Sequence, residues 1–215
     1  MKTQVKGRLD LTGVTPLVIN NIELADDAYE FTAKIKEITD KGKRGRMTPE
    51  MREQKEALQW RGSLYPGDSI IFPARNFIRA FRDAAGAFSK TPAIDRGGVA
   101  VTDVEIQVLH DGPAELIDKD TGLRYGPVDW KAMYDSPRYR FRTIVNGNPT
   151  SGKKAMIPAM RPIFPVWAMS LSVIVFTDIL GWEDFQKILD TASVQGIGNG
   201  RKLGYGKFDV KVTEL

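Results

Sequence analysis

The chain has 215 residues, of which 42% are hydrophobic and 27% are charged, so it can form a packed core and is not a disordered protein. It contains no cysteine and one histidine, which excludes disulfides, thiolate metal sites and cysteine nucleophiles and argues against a histidine-based catalytic triad. Lysine and arginine number 31 against 27 acidic residues, and the resulting net charge of +4 permits a polyanionic partner without requiring one.

The first residues contain no apolar signal segment, and the longest apolar run, over 166–176, is too short to cross a bilayer. We therefore expect a cytoplasmic protein with no membrane partner.

Strict alternation of apolar and polar residues predicts a strand over 4–12, followed by a second short apolar piece at 17–19. Apolar residues then recur at helical spacing, which predicts an amphipathic helix over 24–38. Residues 40–46 contain two glycines and four cations and no apolar residue, so we expect a mobile loop there.

Thr48 and Pro49 are typical of a helix start, with threonine as the N-cap and proline at the first helical position. The helix that they begin, to about Trp60, is mostly polar, so we expect it to pack weakly. Residues 22–60 are interpreted as a helical insertion.

A short strand is predicted over 68–72, and a helix over 74–88 follows it. Arg75, Arg79 and Arg82 recur at i, i+4 and i+7, so they form a stripe separate from the apolar face. Such a stripe, with Asn76 beside it, suits the phosphates of a nucleic-acid strand, although a solvated helix face has the same pattern. The apolar face is predicted to consist of Phe77, Ile78, Phe81, Ala84, Ala85 and Phe88.

Residues 99–109 are predicted to form a long strand that includes Val104, and a slip of phase at 102–103 indicates a bulge or bend. The stretch 111–165 is rich in proline and glycine and has no long periodic segment, so we expect an irregular hairpin or thumb-like projection. His110, just before this stretch, is interpreted as a turn residue rather than a general base.

A strand over 171–176, a helix over 182–192 that ends before Gly196, and a strand over 206–213 complete the chain. The core order of strand, helix, strand, strand, helix, strand is that of a ferredoxin-like or RRM-like α+β fold, an antiparallel sheet with helices on one face. We therefore expect a single domain over 1–215.

The run 196–206 is rich in glycine, but it follows a helix and precedes a strand, which is the wrong context for a dinucleotide fingerprint. We interpret it as a flexible loop whose backbone amides approach a phosphate closely, and a plain helix cap and turn remains the alternative. Its candidate binding residues are Gly198, Gly200, Arg201 and Lys202.

A third basic cluster alternates arginine with aromatic residues over 138–142, which suits single-stranded nucleic acid if the segment is extended. A half-buried strand with a charged outer face is the alternative. The candidate binding residues of this arm are Arg138, Arg140, Arg142, Lys153 and Lys154.

Taken together, several segments resemble the RAMP superfamily, and within it the RNA-binding backbone subunits of CRISPR effector complexes. Residues 5–17 resemble the family's first strand and its following turn, and 71–82 resemble its basic-helix segment. Residues 196–208 resemble its C-terminal glycine-rich loop, and 130–165 lies where such subunits have a thumb. The chain is shorter than many of these subunits, which fits a reduced or phage-borne relative.

The resemblance implies a non-catalytic protein that binds a single-stranded guide RNA through its phosphates, without cofactor or metal. It also implies self-association along the strand or contact with other effector subunits. The alternatives are a phage protein that binds or anneals single-stranded DNA, a mimic that blocks assembly of the CRISPR backbone, and a RAMP endoribonuclease.

Overall fold

The computed structural model describes residues 3–147 and 155–215 and mixes helices with antiparallel sheet, as the sequence predicts. The helices are α1 (Glu30–Arg44), α2 (Pro49–Gly62), α3 (Ala74–Ala85), α4 (Thr91–Asp95), α5 (Trp130–Asp135) and α6 (Trp182–Gln195). The strands are β1 (Gln4–Gly13), β2 (Leu17–Val18), β3 (Ile71–Pro73), β4 (Val99–Val101), β5 (Glu105–Gln107), β6 (Leu109–His110), β7 (Ala114–Ile117), β8 (Arg124–Val128), β9 (Arg140–Gly147), β10 (Ala155–Phe164), β11 (Trp167–Phe176) and β12 (Phe208–Glu214).

Two units make up the chain, and each is assembled from separate stretches of sequence. The first comprises Met1–Leu17, Gly67–Val128 and Phe164–Leu215, and the second comprises Val18–Pro66 and Asp129–Ile163. The helices expected within 22–60 lie wholly in the second unit. That 1–215 is a single domain stays a prediction.

The main sheet of the first unit is centred on β1, which pairs antiparallel with β11 on one side and with β12 on the other. The order of this sheet is β12-β1-β11-β6-β8-β7, and β4 also pairs with β11. Leu9 and Leu11 of β1 are buried while Arg8 and Thr12 are exposed, because successive side chains of a strand point to opposite faces.

Helices α3 and α6 pack against each other in the core of the first unit. The rings of Phe81 and Phe185 meet edge to face with 5.4 Å between their centroids. Phe77, Phe81, Ala84 and Ala85 of α3 are fully buried, as is Phe185 of α6, so the apolar face predicted for α3 is correct at these four positions, whereas Ile78 is only half-buried. Phe88 is 41% exposed, contrary to the prediction, because α3 ends at Ala85.

In the second unit, α1 and α2 pack side by side, and residues 155–162 of β10 pair antiparallel with β9. The Thr48 side chain accepts a hydrogen bond from the Met51 amide, so the predicted helix start is correct. Trp60 is only 1% exposed, and its indole nitrogen donates to the Tyr139 carbonyl at 2.8 Å. The expectation that this helix packs weakly is therefore wrong.

The first helix lies later in the chain than predicted. The segment Ile22–Ala25 is a 3-10 helix, and α1 continues through Gly42 to Arg44, into the predicted mobile loop. Buried Ile38 anchors the second half of α1, and a Cβ at Gly42 would lie 2.5 Å from Cε of Met47. The helix thus uses this glycine for a close contact.

The predicted long strand over 99–109 is divided into β4, β5 and β6. β4 pairs with β11 whereas β5 pairs with β3, so the slip of phase marks a change of sheet. Val104, at the break, is 80% exposed and does not belong to the apolar face. No helix within the described ranges is long and apolar enough to span a membrane.

Candidate nucleic-acid interface

The predicted arginine stripe lies on α3 in the first unit, where Arg75 and Arg79 are exposed. Asp83 is four residues beyond Arg79 and therefore continues the same stripe along the helix. Arg82 forms a two-point ion pair with Asp95, with Nε–Oδ1 and Nη2–Oδ2 distances of 2.7 and 3.3 Å. The hydrogen bond from Arg82 lowers the pKa of the Asp95 carboxyl.

An ion pair between Arg201 and Asp83 brings the glycine-rich loop to this stripe. The Nη2 atom of Arg201 donates to Oδ2 of Asp83 at 2.7 Å. Two of the three basic patches predicted from the sequence are thus next to each other within the first unit. We call them together the loop–helix surface, and its predicted residues are Arg75, Asn76, Arg79, Arg82, Gly198, Gly200, Arg201 and Lys202.

The glycines of the loop allow its two ends to cross closely. The Ile197 amide donates to the Gly206 carbonyl at 2.9 Å. A Cβ on Gly206 would lie 1.9 Å from the Ile197 carbonyl oxygen, and the φ of Gly206 is +72°. Gly200 has a left-handed conformation with φ +76°, and it directs the chain into the 3-10 turn Arg201–Leu203.

Thr15 fastens the loop to the turn after β1. Its hydroxyl donates to the Gly204 carbonyl at 2.9 Å and accepts from the Lys207 amide at 2.9 Å. Its own carbonyl accepts from the indole nitrogen of Trp167 at 2.8 Å. The loop is therefore braced by the fold, which corrects the expectation of a flexible loop. The sequence contains no local signal for this contact, because Thr15 and Gly204 are 189 residues apart.

The loop–helix surface also holds two cations with no partner. Arg79 and Lys202 are both exposed, and neither forms an ion pair or side-chain hydrogen bond with any residue in 3–147 or 155–215. The amide groups of Arg201 and Lys202 likewise donate no hydrogen bond within that part of the chain. These donors and charges are available to an anion.

The arginine–aromatic arm lies in the second unit, and its start is not extended. Arg138 belongs to the 3-10 turn Pro137–Tyr139, and β9 begins only at Arg140, so the three arginines do not share one strand face. Tyr139 is buried, which leaves its ring unavailable for stacking on a base. The proline at the start of this turn explains why the strand begins later than the alternation suggests.

The two arginines of β9 contact acidic residues of α2. Arg142 donates to both carboxylate oxygens of Glu56 at 2.6 and 2.7 Å. Arg140 lies 3.7 Å from Glu53, and its guanidinium is 5.2 Å from the ring centroid of Tyr134. These contacts hold β9 on α2, as expected for the alternative of a half-buried strand. Lys153 and Lys154 lie outside the described residues.

The phenol of Tyr134 completes this cluster. It donates to Glu53 at 2.9 Å, and burial together with this bond raises the pKa of Tyr134 to about 12. The phenol is therefore a hydrogen-bond donor at neutral pH.

The lone histidine is buried, with its Nδ1 accepting from the Gly112 amide at 3.0 Å. His110 ends β6, where it pairs with Trp167 of β11 and Arg124 of β8, and this bond links it to the turn that follows. It is therefore a strand residue next to a turn rather than the turn residue that the sequence suggested. Burial lowers the pKa of His110 to about 4, so the ring is neutral at physiological pH. No group of three or more histidine or acidic side chains in the described part of the chain could hold a metal ion.

No protein-family model matches the chain, and no curated relative does. Among solved structures, a chain of the type III-B Cmr-beta complex bound to cognate target RNA is 12% identical with a TM-score of 0.44. The match covers 99% of this chain and 61% of that one, so this chain spans about three fifths of its length. Cmr6 from Pyrococcus furiosus is 13% identical with a TM-score of 0.37, and the match covers 97% of this chain and 99% of Cmr6.

Proposed function

We propose that the protein binds single-stranded RNA through its phosphates, without cleaving it, on the loop–helix surface. The observation that carries this proposal is the ion pair between Arg201 and Asp83, which joins the glycine-rich loop to the arginine stripe. Two cationic elements that are distant in the sequence thereby offer one continuous surface.

Arg79 and Lys202 supply the first contacts, because their charges have no partner in the described part of the chain. Arg82 supplies a further contact by exchanging Asp95 for a phosphate. The side chains of this pair are 52% and 47% exposed, and pairs that are so accessible to water are weak. A phosphate that approaches Arg79 at the same time therefore competes well for Arg82.

The spacing of the stripe fits the phosphates along one nucleic-acid strand. Positions four apart on a helix are separated by about 6 Å along its axis, so successive phosphates of one strand can each meet a guanidinium. The amides of Arg201 and Lys202, which donate no hydrogen bond in the described part of the chain, add short-range donors for one further phosphate. These contacts recognise the backbone and carry no sequence information.

The proposal includes assembly as a repeated subunit along a guide-like RNA in a CRISPR effector complex. It is supported by the resemblance of 5–17, 71–82 and 196–208 to RAMP backbone subunits. We also propose that the first unit has a ferredoxin-like core. The strand order β12-β1-β11-β4 supports this, with α3 between β1 and β4 in sequence and α6 between β11 and β12.

The test is a binding titration with labelled single-stranded RNA, single-stranded DNA and duplex RNA of one length at several salt concentrations. We expect the tightest binding to single-stranded RNA, with affinity that falls steeply as salt rises because phosphate contacts release counterions. The RNA is expected to remain uncut, and size-exclusion chromatography should show growth of the complex with RNA length. Salt-independent affinity, or cleavage of the RNA, would contradict the proposal.

A further inference from the structure

Arg161, on β10 of the second unit, is a half-buried cation with no counter-ion. It forms no ion pair with any acidic side chain in the described ranges. All 27 acidic residues of the sequence lie within those ranges. Burial lowers the pKa of the Arg161 guanidinium, and no nearby carboxylate opposes this effect. Charged side chains are rarely buried unless they are paired, so this arginine needs an explanation.

One edge of the Arg161 guanidinium donates hydrogen bonds within the protein, and the other edge donates none. Nη1 donates to the hydroxyl of Ser63 at 3.1 Å and lies 3.5 Å from the Met160 carbonyl. Ser63 is fully buried, and its hydroxyl donates to the Gln59 carbonyl at 2.7 Å, so it fixes the orientation of the arginine. Nε and Nη2 have no acceptor in the described part of the chain. These two nitrogens form the parallel pair of donors that binds an oxyanion at two points.

A second polar side chain of the second unit has a buried atom without a partner. Oδ1 of Asn20 is buried and has no hydrogen-bond partner within the described ranges. The Ile19 amide donates to the Pro162 carbonyl at 3.2 Å, so the chain at Ile19, next to Asn20, lies alongside the residue that follows Arg161. The amide group of Asn20 has two N–H donors that suit an anion in this region.

We infer that Arg161, with Ser63 and Asn20, forms an anion site in the second unit that takes a phosphate group of single-stranded RNA. That the phosphate belongs to the nucleic acid rests on the proposed function. The free edge of the guanidinium binds two phosphate oxygens, and the anion supplies the charge that the fold lacks. An acidic side chain of a protein partner would satisfy the same donors, and the experiment separates the two.

The experiment compares the wild-type chain with Arg161→Gln and Arg161→Lys, with Arg52→Gln as a matched control. Arg52 is an exposed residue of α2 in the same unit and has no side-chain partner in the described part of the chain. Thermal unfolding is measured with inorganic phosphate, with acetate at equal ionic strength, and without either anion. Affinity for labelled single-stranded RNA is measured on the same proteins.

Phosphate at ten times its dissociation constant should raise the melting temperature of the wild type and of the control variant by about 3 °C. Arg161→Gln should abolish this rise, and Arg161→Lys should keep part of it, because lysine retains the charge but loses the two-point geometry. Arg161→Gln should also weaken RNA binding about fivefold and reduce the salt dependence by about one phosphate contact. Arg52→Gln should change neither.

Equal melting temperatures with and without phosphate, combined with unchanged RNA affinity in Arg161→Gln, would overturn the inference. Stabilisation by acetate alone, with RNA affinity unchanged, would also overturn it in favour of a carboxylate partner. If Arg161→Gln does not fold, the same two measurements on Arg161→Lys, the melting temperature with phosphate and the affinity for RNA, test the inference instead. Failure here, with RNA binding that still depends on Arg79 and Arg201, would leave the proposed function intact. If RNA affinity depends neither on Arg161 nor on Arg79 and Arg201, both the anion site and the proposed function are wrong.

Discussion

Arg201 and Asp83 are 118 residues apart in the chain and are joined by an ion pair of 2.7 Å in the first unit. The pair positions the 3-10 turn of the glycine-rich loop against the arginine stripe of α3. It also places a negative charge next to the cations proposed to meet RNA, so the pair has opposing effects on binding.

Replacing Arg79 or Arg201 by alanine should weaken RNA binding by about five- to tenfold at moderate salt. Each change removes one phosphate contact, so the slope of log affinity against log salt should fall by about one. Fluorescence anisotropy with labelled RNA measures both quantities. Arg52→Ala, an exposed position of the second unit, is the charge-matched control and should leave them unchanged. If both surface variants bind like the wild type, the loop–helix surface is not the binding site.

Asp83→Asn should strengthen RNA binding by a few fold at low salt. The change removes a negative charge from the surface and releases the guanidinium of Arg201 for a phosphate, while the amide can still accept a hydrogen bond from it. The gain should disappear at high salt, because the screening length shortens. Weaker binding of this variant at every salt concentration would show instead that the ion pair acts mainly by holding the loop in place.

Gly206→Ala should destabilise the first unit by several kcal/mol, on the order of 3 or more, because its Cβ would overlap the Ile197 carbonyl oxygen. Gly204→Ala is the matched control. Its φ is +89°, but nothing lies within 4 Å of an added Cβ, so only the backbone cost of about 1 kcal/mol applies. Urea unfolding measures the difference between them. Similar losses in the two variants would show that the crossing of the loop ends contributes little.

The stability of the protein should fall as pH decreases from about 6.5 to about 4 because of His110. Burial lowers the pKa of the folded-state imidazole to about 4, so below pH 6.5 the unfolded state binds a proton that the folded state does not. The loss is about 1.4 kcal/mol per pH unit, or roughly 3 kcal/mol over the whole range.

The control for this pH effect is His110→Asn, which retains an acceptor for the Gly112 amide and cannot titrate. Unfolding free energies of the two proteins, measured at several pH values, should differ in slope only between pH 6.5 and 4. Parallel pH profiles would mean that the imidazole is not protected from protonation in the folded state. Carboxyl groups titrate in both proteins and cancel in the comparison.

The sequence predicted most elements of the first unit because their periodicity is undisturbed. The alternation in β1 correctly predicted that Leu9 and Leu11 are buried, and the helical spacing in α3 correctly predicted that Phe77 and Phe81 are buried. It could not predict that a phase slip at 102–103 means a change of sheet partner, because pairing depends on residues far away. The position of Phe88 depended in the same way on where α3 ends.

For the candidate site, charge and spacing identified the stripe and the glycine-rich loop, but the contacts between them were not visible. In the sequence, Asp83 has the pattern of an ordinary helix residue and Thr15 that of a turn residue. Only in the folded structure does Asp83 contact Arg201 and Thr15 contact Gly204. The composition of the arm suits nucleic acid, and a half-buried strand was the alternative; in the structure, Arg140 and Arg142 contact Glu53 and Glu56 of α2. Ion pairs of this kind follow from tertiary packing, which a local pattern does not contain.

The pairing of β1 sets the order in which a growing chain can complete the first unit. Gln4 lies opposite Phe176, and Gly7 lies opposite Glu214, so β1 pairs with two strands that are synthesised long after it. During synthesis, the hydrogen-bonding groups of β1 are satisfied on both sides only after β11 and β12 have left the ribosome. Pairings between such distant residues slow folding, so chaperone protection of the nascent β1 should improve the yield of native protein.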